Sequence, residues 1–408
     1  MALDLTSFDA ALKQHYTADR VEDMVYKRNP LLALMPKMEA FGGRNLPVPI
    51  IYGNPQGRSK TFTNAKTRGA ATSSKITDFV LTRTKDYSIA TIDNETLEAS
   101  KGDQNAFMTA ATTEVDGAIN SLTRSIAVGL FRDDSAAIGQ VLAEPANASP
   151  FVVTMKQNSD ITNFEVGMVV VIWSAKTAGT QRNSDGSDVN WEIAAIDRDA
   201  GTITLTGTYD GSGTIAANDY LFVEGDRGLG ISGLASWVPD TAPTSTLFFG
   251  VDRSVDVTRL GGLRLDGSGA PIEEVLIEGD AMIGREGQYI DHYFMNPKKL
   301  GDLKKALGTK VQYVNLQANA RVSFSGVQID GEKGPINCLA DFNCPYDRCY
   351  GIAMEYWKLY SLGKAVRVID TDGLQMLRQD TSDGVEVRYG FYGNVATRAP
   401  GSNIVIKF

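Results

Sequence analysis

The sequence predicts an α+β fold in which a small all-β domain interrupts a mixed chain. Three observations carry that expectation. A long amphipathic helix starts near Asp103, five or six short strands fill residues 133–240, and strands crowd the last seventy residues. A chain of 408 residues is long enough for two or three domains. Its 40 glycines, about a tenth of the residues, suit many turns and long excursions better than a helical bundle.

The first thirty-five residues read as two short helices on an arm. Asp19 and Glu22 have the spacing of a capping box, with Val21, Met24 and Val25 on one face. Asn29-Pro30 stops that helix, and the short apolar run 31–35 is expected to dock on another surface. Residues 42–77 then change character. They hold Pro47, Pro49 and Pro55, no acid, and six cations: Arg44, Arg58, Lys60, Lys66, Arg68 and Lys75. That net of +6 leaves −15 on the rest of a chain whose total is −9. With β-prone flanks at 48–52 and 76–84, the segment reads as a long projecting hairpin. A hairpin cannot bury enough apolar surface alone, so its support is expected from another subunit, with the basic loop over an acidic surface.

The clearest helix follows. Asp103 is the expected N-cap, and Phe107, Ala111, Val115, Ala118, Ile119, Leu122, Ile126 and Leu130 recur at spacings of three and four. Such a helix, about 40 Å long, packs as a spine on one side of a sheet. The runs 151–155, 168–173, 191–196, 202–206 and 220–223 predict a small barrel or sandwich. Residues 133–240 carry 15 acids and 5 bases, the balance of a separate, solvated insertion. Beyond it, helices are expected at 252–260, from Pro271 through Met282 with Glu273 and Glu274 on its positive end, and from Pro297 to Gly308 with Lys304 and Lys305 late. Strands are expected at 289–295, 336–339, 348–356, 365–369, 374–378, 385–391 and 404–408.

Several functions lack their residues. A net acidic chain of pI about 5.0 is a poor binder of DNA or anionic lipid through its overall field. His15 and His292 are the only histidines, and Cys338, Cys344 and Cys349 contain no CxxC pair, so they read as core thiols in a reducing compartment. Residues 181–192 place Asn183, Asp185, Gly186 and Glu192 like a calcium loop. Gln181 stands at the first position and the flanks are strands, which is an acidic hairpin tip. The glycines at 225, 228 and 230 lack the Lys-Ser/Thr ending of a phosphate loop and read as a turn. No GxSxG elbow occurs, and no pair of carboxylates stands out as buried. Catalytic, cofactor and metal sites are all expected to be absent. The first residues suit neither a signal peptide nor an anchor, and no apolar run approaches the roughly 18 residues of a membrane span. The chain reads as soluble.

The order of arm, hairpin, spine helix, mixed α/β region and returning strands brings three segments into view. These are residues 92–98 (IDNETLE), 293–303 (YFMNPKKLGDL) and 387–401 (VRYGFYGNVATRAPG). In order and spacing they resemble the major capsid proteins of tailed bacteriophages, which have the HK97-like fold. The resemblance covers most of the chain outside 140–235. It implies an N-terminal arm at 1–41, an extended loop at 42–85, a peripheral domain with the spine helix at 86–140, the inserted β-rich domain at 141–235, an axial domain with peripheral strands at 236–380, and C-terminal strands at 381–408.

The same resemblance implies a structural protein that assembles into hexamers and pentamers of an icosahedral shell. The shell would be built in the bacterial host cytoplasm and enclose double-stranded DNA in the virion, without sequence-specific binding and without a membrane. A portal and an optional decoration protein are implied partners. Because the arm begins near Met1, scaffolding is expected from a separate protein. In some relatives a loop lysine is covalently joined to a neighbour's asparagine. Lys60 and Lys66 are placed for that, against the plain expectation of lysines in a basic loop. An encapsulin-type nanocompartment and a β-rich surface adhesin are the alternative readings.

Overall fold

The computed structural model describes residues 24–26, 28–93, 104–186, 189–308, 312–317, 323–370, 376–379 and 383–408. The capping box at Asp19 and Glu22, the N-cap Asp103, His15 and residues 94–98 lie outside them. The side chains of Phe107 and Ala111 do as well.

The spine helix runs Gln104–Phe131. Its described apolar stripe is buried: Val115, Ile119, Leu122, Ile126 and Leu130 all pack inward. The stripe lies on a six-stranded sheet whose central strand is Gly384–Thr397. Thr84–Asp93 pairs antiparallel with that strand over ten residues, from Gly384↔Asp93 to Gly393↔Thr84. Alternation places Val385, Val387, Tyr389 and Phe391 in the core beneath the helix. Trp357–Ser361 continues the same sheet, and Lys37–Met38 adds to it in parallel. The short helix Pro30–Leu34 buries Leu31 and Leu32 fully, as its apolar run requires.

A second sheet of seven strands runs in the order Leu263–Asp266, Ile404–Lys407, Arg348–Ile352, His292–Met295, Pro335–Ala340, Ser323–Asp330, Gln312–Gln317. Helices Ile272–Arg285 and Pro297–Leu307 pack on it and on each other. Asn296 caps the second by accepting from the Lys298 backbone N–H at 3.1 Å.

The last residues cross from the first sheet to the second, and two asparagines secure the crossing. Asn403, fully buried, accepts from the Trp357 indole N–H at 2.8 Å and the Ala353 N–H at 3.1 Å, and its amide donates to the Ala399 and Pro400 carbonyls. Asn394 accepts from the Ser232 and Val395 N–H groups and donates to the Thr82 carbonyl, tying three chain segments together.

Between Gly139 and Val223 the chain forms a separate six-stranded unit: Gly139–Gln140, Phe151–Thr154, Val169–Trp173, Asn190–Asp197, Thr202–Leu205 and Tyr220–Val223. Its two end strands meet. Leu142 N–H donates to the Thr154 carbonyl at 2.9 Å and Lys156 N–H to the Gln140 carbonyl at 2.7 Å, so the sheet closes into a small barrel. Phe151, Trp191, Ile193, Ile203, Leu205 and Tyr209 fill its interior, a core distinct from those of the two sheets. The glycine cluster at 225–230 is part of the turn that brings the chain back. A side chain at Gly233, just beyond, would place its Cβ 2.2 Å from the Gly129 carbonyl oxygen, so only glycine allows the two crossings to lie together.

Two expectations need correction. Residues 252–260 form only the 3₁₀ turn Arg253–Asp256, because Asp252 and Asp256 bind the backbone N–H groups of Ser254 and Arg259 and compete with a longer helix. The expected strand 348–356 is broken after Ile352 by the turn Met354–Tyr356, and the chain then enters the other sheet. Single carboxylates are buried at Asp160, Asp219, Asp280 and Asp341, all under one tenth exposed.

Candidate assembly surfaces

The projecting hairpin pairs Asn45–Gly53 with Lys75–Thr82, in register from Asn45↔Thr82 to Ile51↔Ile76, with a bulge before Gly53. Pro47 and Pro49 cannot donate to a further strand, which suits the outer edge of a two-stranded ribbon. The root of the hairpin is fixed. Val48, Ile50, Phe79 and Leu81 are buried, and Phe79 sits 5.0 Å from the Trp237 ring and 6.0 Å from Phe248. Val80 N–H donates to the Phe249 carbonyl at 3.0 Å, and the Arg259 guanidinium donates to the Tyr52 carbonyl at 2.8 Å.

The far end is bare. It carries the helix Phe62–Ala71, which buries no residue and was not foreseen from the sequence. Phe62 is 84% exposed, and Ile51 and Ile76 are 67% and 58% exposed. All six predicted cations, Arg44, Arg58, Lys60, Lys66, Arg68 and Lys75, are exposed, and none pairs with a carboxylate among the described residues. Covering one ring the size of Phe62 stabilises by about 2 kcal/mol, so this tip has apolar area and charge that its own chain leaves unused. Charge counting locates the cations. Nothing in the strand pattern marks Phe62, Ile51 and Ile76 as outward.

The barrel behaves differently, because several of its charged groups meet partners at home. Arg182 donates to both oxygens of buried Asp219, at 2.8 and 3.0 Å. At its junction with the body, Arg132 at the end of the spine helix pairs with buried Asp160 at 2.6 Å, and Lys176 pairs with Asp133. These groups line a cleft of about 510 Å³ that also holds Arg348 paired with Asp240 at 2.8 Å. Cations and carboxylates match one another there, so it is a salt-bridged seam between barrel and body.

Two carboxyls sit at joints. Burial pushes Asp86 up to about 6 although Ser125 of the spine helix hydrogen-bonds it, and the charge of Asp226 at the barrel's return turn adds to the rise. Burial also raises Asp341 to about 6, against the bonds it accepts from Asn343 and from Leu31 of the N-terminal helix. The three cysteines are free and buried, and burial lifts each thiol, Cys338 to about 12. That is the chemistry of inert core thiols. Among the described residues no group of three His, Cys, Asp or Glu is placed to hold a metal, and no helix is long and apolar enough to cross a membrane.

No family model matches the chain, and no curated protein does. Solved structures do. A chain of the cyanophage A-1(L) capsid asymmetric unit is similar over 94% of this chain and 93% of that one, with a TM-score of 0.50 at 13% identity. The fold is the HK97-like capsid fold. A chain from Mycobacterium phage Bobi is similar at TM-score 0.44 and 8% identity, over 100% of this chain and 99% of that one. The SrpI encapsulin of Synechococcus elongatus is similar at TM-score 0.43 and 10% identity, over 100% and 96%. The capsid fold accounts for the spine helix on its long sheet, for the second sheet with its two helices, and for the hairpin that leaves the body.

Proposed function

We propose that this chain is the major coat subunit of a tailed phage, a structural protein that assembles with copies of itself into a closed shell around double-stranded DNA. The observation that carries the reading is the capsid fold over nearly the whole chain, joined to a hairpin whose tip is finished by nothing within the subunit. The six cations Arg44, Arg58, Lys60, Lys66, Arg68 and Lys75 serve as contacts to acidic surface on a neighbouring copy. A net acidic body supports the same view, because a shell that held DNA through its overall field would resist packing and release. Hexamers and pentamers are the repeating units, scaffolding and portal are separate chains, and assembly takes place in the host cytoplasm. The barrel is an accessory domain that stiffens the unit or meets a neighbour, and a decoration protein is an optional partner.

Expression of the full chain, alone and with its candidate scaffold, followed by electron microscopy of the heavy fraction, tests the reading. Polyhedral shells or free rings of five and six are expected. A monodisperse monomer or dimer at every salt concentration overturns it, and particles that carry a cargo enzyme in place of DNA would favour a nanocompartment.

A further inference from the structure

The two helices on the seven-stranded sheet carry opposite charge. Ile272–Arg285 holds Glu273, Glu274, Glu278 and Asp280 against Arg285, a net of −3, whereas Pro297–Leu307 holds four lysines against Asp302, a net of +3. The helices touch each other, so mutual attraction inside the subunit would be the simplest use of those charges. The side chains are not arranged for it. Glu274, Glu278 and Ala281 form one exposed stripe at helical spacing, with Ile277 between the glutamates at 57% exposure. On the second helix Lys298 and Lys305 are exposed, Lys298 over the Tyr346 ring and Lys305 beside Asp302 at 3.4 Å. Among the described residues Glu274 and Glu278 have no cationic partner.

The acidic helix packs over Leu263–Asp266 and Ile404–Lys407 and reaches the turn before Pro335–Ala340, where Asp280 accepts from the Glu332 backbone N–H at 2.7 Å, and the basic helix packs over Pro335–Ala340 itself. Two exposed surfaces of opposite sign on one subunit can make a head-to-tail contact between copies, which closes into a ring when the rotation between copies allows. We infer that the Glu274/Ile277/Glu278 stripe of one copy docks on the Lys298/Lys305 surface of the next, with Ile277 at the apolar centre of the contact. This deepens the coat reading and rests on it.

Charge reversal tests the pairing in the full chain, co-expressed with scaffold. Glu274→Lys with Glu278→Lys, and separately Lys298→Glu with Lys305→Glu, should each lower the fraction sedimenting as rings or shells by about tenfold. The subunit's melting curve should not move, because all four residues are exposed. The fourfold swap in one chain restores complementarity and should recover most of the assembly. Either pair assembling like the parent overturns the inference, as does a fourfold swap no better than the worse pair. A parent chain that never forms rings or shells removes the coat reading itself, so the two failures are distinguishable.

Carbodiimide coupling of particles grown from mixed light and heavy chains checks the same contact without substitutions. Mixed-isotope links between residues 274–278 and 298–305 are expected. Their absence where other inter-copy links form overturns the contact.

Discussion

The barrel and the hairpin both leave the same body, yet they solve the problem of exposed chain in opposite ways. The barrel joins its end strands, fills its centre with Trp191, Phe151 and Tyr209, and pairs Arg182 with Asp219 inside its own boundary. It is complete once folded. The hairpin is held by Phe79 against Trp237 and Phe248 and by Arg259 on the Tyr52 carbonyl, and its far end leaves Phe62, Ile51 and Ile76 in water with five of the six cations, Arg44 standing at the root. The acidic barrel closes its own sheet, whereas the basic tip keeps apolar side chains and cations that its own chain leaves uncovered.

The largest expected effect breaks the self-sufficiency of the barrel. Trp191→Ala empties a site 1% exposed whose ring meets Phe151 edge-on at 6.0 Å. It should cost about 4 kcal/mol. Because the barrel core is separate, hydrogen exchange should rise across 139–223 while the spine helix stays protected. Exchange rising equally in both would show one shared core.

Arg132→Ala comes next. It strands the buried Asp160 carboxylate at the seam and should cost about 3 kcal/mol. Arg132→Lys should recover part of that loss in a thermal melt. A melt unchanged by alanine would mean that the seam does not secure the barrel.

A smaller effect has the opposite sign. Burial holds Asp86 at about 6, above the ordinary value of 3.8. The folded chain therefore binds that proton more tightly than the unfolded chain. The contribution of Asp86 to stability is most favourable below pH 3.8 and is lost as pH rises through about 6. Asp86→Asn keeps a partner for Ser125 without the charge, and should raise stability at pH 8 by on the order of 2 kcal/mol while changing little at pH 4. An equal shift at both pH values in denaturant titrations would contradict a half-buried Asp86 that is charged at pH 8.

The smallest effect on the free subunit belongs to the hairpin. Phe62→Ser should leave the melting of the monomer within about 0.5 kcal/mol of the parent and yet reduce assembly severely. A destabilised monomer would mean that Phe62 packs within its own chain.

The two excursions were also unequally legible. The barrel could be read because its strands alternate or run apolar between glycine and aspartate turns, and 220–223 coincides with Tyr220–Val223. Its closure depends on Leu142 meeting Thr154 and Gln140 meeting Lys156, pairings between segments that no local pattern connects. In the hairpin, uncompensated charge and alternate prolines marked a projecting ribbon. The helix Phe62–Ala71 escaped notice because Gly57 and Pro55 before it, and Gly69 within it, read as loop. Strands Leu263–Asp266, Gln312–Gln317 and Ser323–Asp330 were missed for a related reason, since polar residues dilute their alternation. Of the assembly surface, the cations were visible by counting. The outward apolar side chains became apparent only once register was known, because a one-residue slip turns every side chain of a strand to the other face.

The measurement closest to the central claim is amide hydrogen exchange of the free subunit and of the assembled particle, compared segment by segment. Backbone amides of residues 58–77 should exchange rapidly in the free subunit and become protected on assembly, while those of the barrel core at Trp191, Ile193 and Ile203 stay slow in both. Tip amides that exchange equally fast in the particle would contradict an arm completed by its neighbour.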